Sequence, residues 1–144
     1  MTEIDLPNGQ DVVFRVVQVD QVAYDFSRAL ATVILREAEG ARRTLTLPVA
    51  VHDASAIHLA QQHVAGRRPA TNELMVFILQ ELHADVIAAR IVREADGVYI
   101  GELDLMSTRG RHVFDCRPSD AIALALRQVV PAPLLVAETL FSPF

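Results

Sequence analysis

Twelve residues, Asp115-Cys116-Arg117-Pro118-Ser119-Asp120-Ala121-Ile122-Ala123-Leu124-Ala125-Leu126, constrain the fold of this 144-residue chain more than any other stretch. An alternating run from Arg111 to Cys116 predicts a strand, and Pro118 then opens a helix from inside its first turn. Proline suits that position because the first helical N–H groups lack partners and its φ is already helical. Asp120 adds a negative charge near the positive end of the helix dipole. The helix behind it is rich in Ala and Leu with almost no polar face, which predicts burial on most sides. Two carboxylates, a guanidinium and a hydroxyl therefore sit within six residues at a strand-to-helix corner.

The rest of the chain supplies a setting for that corner. Residues 1–11, with Pro7-Asn8-Gly9, read as a flexible lead-in to a single domain over 12–140. Strands are predicted over Val12–Val22, Ala29–Glu37 and Thr44–Val51, with Glu39-Gly40 as a turn. Asp53 is a candidate N-cap for a helix running to Ala65, with Gly66 as its stop, and Thr71 for a second helix from Asn72 to about His83. Two further strands, Asp85–Ala95 and Val98–Ser107, join at Asp96-Gly97, a strong hairpin signal. Pro131 and Pro133 close the signature helix, and Leu134–Ala137 predicts a last short strand. Ala56-Ile57-His58-Leu59-Ala60 echoes Ala121-Ile122-Ala123-Leu124-Ala125, each near the start of a helix that follows a strand. The echo is open to two readings: a duplicated three-strand-plus-helix unit, or coincidence among Ala-rich helices. Either way the class is α+β, one domain with a mixed or antiparallel sheet and about three main helices.

Composition narrows the functional classes. Apolar residues make up 51% and charged residues 22%, a globular balance. No apolar run approaches the ~20 residues that span a bilayer, and the acidic Met1-Thr2-Glu3-Ile4-Asp5 start is unlike a secretory signal, so a cytoplasmic location with no membrane partner is expected. Cys116 is the single cysteine, which excludes an intrachain disulfide and a cysteine-based zinc cluster. The five histidines form no metal-binding pattern. A net charge of −5 opposes a generic nucleic-acid binder, although Arg42-Arg43, Arg67-Arg68 and Arg109/Arg111/Arg117 lie near predicted turns where they could converge. In the second helix, Leu74 to Leu79 is apolar without a break, more than one face of a helix inside a single domain needs. A homodimer or higher homo-oligomer that buries this surplus is expected; burial on both sides within one chain is the competing reading.

Asp115-x-Arg117-Pro118-Ser119-Asp120-Ala121-Ile122-Ala123-Leu124-Ala125 resembles the signature of the bifunctional nuclease domain family, small proteins that cut both DNA and RNA. The resemblance extends over most of the chain. Arg68-Pro69-Ala70-Thr71-Asn72-Glu73-Leu74 is similar to the family's Arg-Pro-Leu-Thr-His-Asp-Leu segment. Asp96-Gly97-Val98-Tyr99 stands at a hairpin start, and Leu47-Pro48-Val49-Ala50-Val51 matches a strand end. Three positions depart: His52 stands where the family has Gly, Ser55 where it has Glu, and Asn72 where it has His.

The resemblance implies phosphodiester hydrolysis with DNA and RNA as substrates. Such chemistry needs charge stabilisation at phosphorus, a positioned water and a proton donor for the leaving oxygen. Asp115, Arg117, Asp120 and Glu73 are the candidate catalytic residues, and Arg117, Ser119, Arg68 and Arg111 the candidate substrate contacts. Arginine suits the phosphate because its planar fork pairs two oxygens at once. Asp115, Asp120 and Asp53 are candidate ligands for a divalent cation such as Mg. The competing readings are helix capping for Asp120 and Asp53, a corner salt bridge for Asp115 and Arg117, and a non-catalytic oligomeric interaction or regulatory module overall.

Overall fold

The computed structural model describes residues 2–5 and 11–141. Its strands are β1 (Thr2–Asp5), β2 (Asp11–Asp25), β3 (Leu30–Glu37), β4 (Thr44–Ala50), β5 (Asp85–Ala95), β6 (Val98–Ser107), β7 (Gly110–Cys116) and β8 (Leu134–Ala137). The helices are α1 (Val51–Gln61), α2 (Thr71–Glu81) and α3 (Pro118–Leu126), and a 3₁₀ turn spans Glu138–Leu140. Part of the expected lead-in is therefore a strand, since β1 pairs antiparallel with the start of β2. Pro7-Asn8-Gly9 lies outside the described residues.

One mixed sheet runs in the order β4-β3-β2-β8-β5-β6-β7. Each half is an antiparallel three-strand meander, β2-β3-β4 and β5-β6-β7, and each runs straight into a helix, α1 and α3. β8 joins the halves, antiparallel to β2 and parallel to β5. This is the repeated three-strand-plus-helix layout that the Ile57/Ile122 echo suggested. The β5–β6 turn is the one read from sequence: Asp96 and Gly97 both take positive φ, 51° and 80°, as a two-residue primed hairpin requires.

The helices lie on one face of the sheet, with α3 central and packed on α1, α2, β5 and β6. Ile57 and Ala60 of α1 and Ile122 and Ala125 of α3 are all buried, so the two echo segments meet as equivalent helices. Small Ala side chains at those positions let the backbones approach closely. Against them sit Val17, Val19, Val33, Leu35, Leu45, Leu47, Leu103 and Leu105 from the strands. A smaller cluster, Phe14, Ala88, Leu135 and Ala137, fills the opposite face where β2, β8 and β5 adjoin.

Two boundaries differ from expectation for the same reason. α1 stops at Gln61, short of Ala65, because His63 takes φ 54° and sends the Val64 N–H back to the Leu59 carbonyl (3.0 Å). α2 ends identically, with His83 at φ 55° and the Ala84 N–H on the Leu79 carbonyl (2.8 Å). Both are Schellman closures with histidine in the left-handed position usually held by Gly. The expected caps also shift. Ala50 and Ala70 occupy the N-cap positions of α1 and α2, where neither Asp53 nor Thr71 caps with its side chain.

The surplus of apolar residues on α2 is exposed. Only Glu73 and Val76 of this helix are buried, while Leu74, Met75, Phe77 and Ile78 are 42–52% exposed, which overturns burial on both sides within one chain.

Candidate active site at the strand-to-helix corner

Arg117 is the N-cap of α3, in extended conformation (φ −68°, ψ 143°), because the following Pro118 disfavours helical geometry there. The corner is pressed against β6. A Cβ on Gly101 would lie 3.0 Å from Pro118 Cα and N and 3.1 Å from the Cys116 carbonyl oxygen. Backbone atoms cannot yield as a flexible side chain can. Gly101→Ala should thus displace the corner and cost about 1–3 kcal/mol in thermal or chemical unfolding; a variant as stable as wild type would show that the corner relaxes freely.

From this corner the guanidinium reaches two carboxylates. Arg117 Nη1 and Nη2 donate to Asp53 in the first turn of α1 (2.9 and 3.3 Å). Its Nε and Nη2 donate to Asp120 in the first turn of α3 (both 2.9 Å). These bonds, those to Asp120 foremost, raise the Arg117 pKa still further. Both aspartates also complement the dipoles of the helices they open. Arg117 thus ties together the corresponding helix starts of the two halves of the fold, across 64 residues of sequence to Asp53. The competing reading of the corner, a salt bridge between Asp115 and Arg117, does not hold among the described residues, since Arg117 pairs with Asp53 and Asp120.

Two cavities share the Arg117–Asp53 pair. One, of about 330 Å³, is walled by Leu47, Pro48, Val98, Tyr99 and Pro118, with Ser119 at its edge. The other, of about 490 Å³, is lined by His52, Ser55, Asn72, Ser119 and Asp120. The three positions where the chain departs from the resembled pattern, His52, Ser55 and Asn72, therefore come together in one cavity beside Arg117. Nothing in their spacing along the sequence announces that; the departures themselves were the signal.

Of the residues singled out from sequence, Arg117, Asp120, Asp53 and Ser119 converge. The others lie elsewhere. Asp115 projects from β7 opposite Glu102 and lines neither cavity. Glu73 is buried, accepts the Gly66 N–H (3.4 Å) and lies 3.8 Å from Arg127, whose Nη1 donates to the Val64 carbonyl past the end of α1. Its role in the structure is to hold the C-terminal ends of α1 and α3. Arg111 spends its Nε and Nη2 on Asp104 (3.0 and 2.7 Å). Arg68 is exposed in the α1–α2 connection and lines neither cavity. The arginine clusters do not converge: Arg43 pairs with Glu37 and Glu138, Arg111 with Asp104, and Arg117 with its own two aspartates.

Cys116 faces an apolar cavity between α2 and β7, and burial, reinforced by the Asp120 charge, pushes its thiol up to about 11. It is no nucleophile near neutrality. Among the described residues no group of three or more His, Cys, Asp or Glu side chains is arranged to hold a metal ion, and no helix is long and apolar enough to cross a membrane.

The architecture is an α+β domain of two related halves whose helix starts are joined by an arginine–carboxylate cluster. Comparison with known proteins places it further. The sequence model of the bifunctional nuclease domain matches residues 33–142, and the chain belongs to that family. It is also similar to two uncharacterized proteins of Mycobacterium tuberculosis, from strains CDC 1551 / Oshkosh and H37Rv, at 36% identity over 109 residues. That match takes in 76% of this chain and 63% of each relative's length.

Proposed function

We propose that this chain hydrolyses phosphodiester bonds in DNA and RNA at the Arg117–Asp53–Asp120 cluster. The observation that carries this reading is the position of Arg117: a phosphate-sized recognition fork between two cavities, where two helix N-termini also meet. A phosphate entering there would exchange one carboxylate for its own oxygens on the guanidinium, which offers the same bidentate geometry to either. The carboxylate released from Arg117 is then available to take a proton from the attacking water. As the water oxygen bonds to phosphorus the opposite P–O bond breaks, the leaving oxygen takes up a proton from solvent, and the carboxylate returns its own proton to solvent.

Asp53 and Asp120, whose oxygens all accept from Arg117, are the carboxylates that would hold a hard divalent cation once substrate releases one of them, since Mg²⁺ commonly takes one or two carboxylates and completes its shell with water and substrate phosphate. Bound there, such an ion would supply charge neutralisation at the phosphate.

The test is cleavage of single- and double-stranded DNA and RNA by the purified protein, with Mg²⁺ and with chelator, beside an Arg117→Ala control. Activity on both nucleic acids, lost in the control, is expected. Binding should weaken as salt rises, because neutralising phosphates releases counterions.

A second reading, a non-catalytic interaction module on the same fold, has its own observations. Ser55 and Asn72 put neutral groups into the cavity beside Arg117, and α2 presents an exposed apolar surface. Equal degradation by wild type and Arg117→Ala, with or without chelator, would favour it.

A further inference from the structure

The two ends of the sheet are not protected alike. β4, at one end, carries Pro48, which lacks an N–H and blocks strand addition. β7, at the other end, has no proline and no lysine, and exposes Val113 (45%) and Phe114 (53%). Its outer edge offers a row of backbone groups to another strand. We propose that the partner is a second copy of this chain, joined β7 to β7 in antiparallel register about a twofold axis at Val113.

Charge complementarity and length choose this register. Val113 is the midpoint of the seven-residue strand Gly110–Cys116, so centring there pairs the strand over its full length. Each Arg111 then stands opposite Asp115 of the other copy, and each His112 opposite Phe114. Opposite charges and aromatic pairs directly across an antiparallel ladder are stabilising, whereas like charges there are not. Asp115 is exposed and has no ion-pair partner among the described residues, and Arg111 uses only Nε and Nη2 on Asp104. Centring on Phe114 instead would place Arg111 opposite Arg117. Centring on His112 would shorten the pairing to the five residues 110–114, with Arg111 opposite Val113 and Asp115 facing Arg109 of the turn, beyond the strand.

An axis normal to the sheet keeps both helix layers on one side. Leu103 and Leu105 of the core are the cross-strand partners of Phe114 and His112, so this ring pair, already stacked within one chain at 6.3 Å, faces the helices. Beside it lies the apolar cavity of about 530 Å³ between Met75 and Leu79 of α2 and Phe114 of β7. The second copy would extend the sheet past this cavity and bring its own α2 alongside, giving cover to the apolar surface of α2 nearest β7. The paired strands end at Cys116, one residue before Arg117, which stands at the rim opposite Arg109 of the other copy, and the proposal does not depend on the nuclease reading.

Sedimentation of the purified full chain at micromolar concentration should show a dimer. Val113→Lys puts two ammonium groups against each other on the axis, and Asp115→Arg puts two guanidinium groups across from each other twice. Each should raise the dissociation constant by about tenfold or more, with unchanged circular dichroism, because both side chains are exposed. A third variant reads the register directly. Val113→Cys in a Cys116→Ala background places two sulfurs across the axis, where opposed Cα atoms are about 4.5–5.5 Å apart, within disulfide range. It should crosslink on mild oxidation, whereas Val98→Cys at the β5–β6 turn should not. A monomeric wild type overturns the proposal; so does a dimer that survives both charge variants, or one in which Val113→Cys fails to crosslink.

Discussion

Replacing Arg117 by lysine should reduce phosphodiester cleavage by roughly 100- to 1000-fold although the charge is kept, the range found when a donor to developing charge is removed. The reason is geometric. Arg117 presents Nε, Nη1 and Nη2 to two carboxylates at once, and a phosphate can replace one of them only if the fork still holds the other. An ammonium is a point charge with no such planar arrangement. Arg117→Ala should lose at least as much. Neither change should unfold the protein, because the Arg117 side chain is 63% exposed and exposed ion pairs contribute at most about 1 kcal/mol. The measurement is initial cleavage rate against salt and Mg²⁺, with thermal unfolding of the same samples. Wild-type rates in Arg117→Lys would remove bidentate recognition from the mechanism, and wild-type rates in Arg117→Ala would remove Arg117 altogether.

What the sequence revealed about this site, and what it withheld, follows from the range of the interactions. The corner was legible because its signals are local: alternation up to Cys116, Pro118 at the first helical position and apolar residues behind it. The pairing of Arg117 with Asp120 is equally local, three residues apart. Asp53 could be singled out as an acid at an element end, but its partner was invisible, since the 64-residue separation closes only when the two halves pack α1 on α3. Glu73 shows the opposite failure. An acid at the start of a helix reads as available for chemistry, and only the packing reveals that it turns inward to Gly66 and Arg127. The helix ends were missed because histidine replaced the glycine that usually marks a left-handed stop. The internal echo was too short to decide by itself, and the sheet order decides it in favour of repetition.

The largest effect on stability should come from a residue the sequence did not single out, Glu37. It ends β3 with only 1% of its side chain exposed, yet is surrounded by donors. Oε1 accepts the Arg43 backbone N–H (2.8 Å) and Nε (2.6 Å), while Oε2 accepts Arg15 Nε (2.8 Å) and Arg43 Nη2 (3.1 Å). Arg43 continues to Glu138 at 2.7 Å and lies over the Phe141 ring at 4.7 Å, so one carboxylate anchors β2, β3, the turn before β4 and the C-terminal 3₁₀ turn. Hydrogen bonds from Arg43, and then Arg15, outweigh the burial that opposes ionisation and hold the carboxyl down at about 2. Because the folded pKa lies below the unfolded one, the contribution is complete above about pH 5 and is lost as pH falls through 2. Glu37→Ala removes the anion that two arginines share. Deleting one partner of a buried pair costs about 3–5 kcal/mol, and partial access of Arg15 and Arg43 to water lowers that to roughly 2–4. Chemical denaturation at pH 7 should show that loss, whereas Asp20→Ala, which breaks an exposed pair with Arg36, should cost under about 1 kcal/mol. The gap between wild type and Glu37→Ala should then narrow on acidification from about pH 4 to 2, as the carboxyl takes up a proton in the unfolded chain while the folded protein resists it. A gap that stays constant down to pH 2 would mean that Glu37 stabilises by its shape and not by its charge.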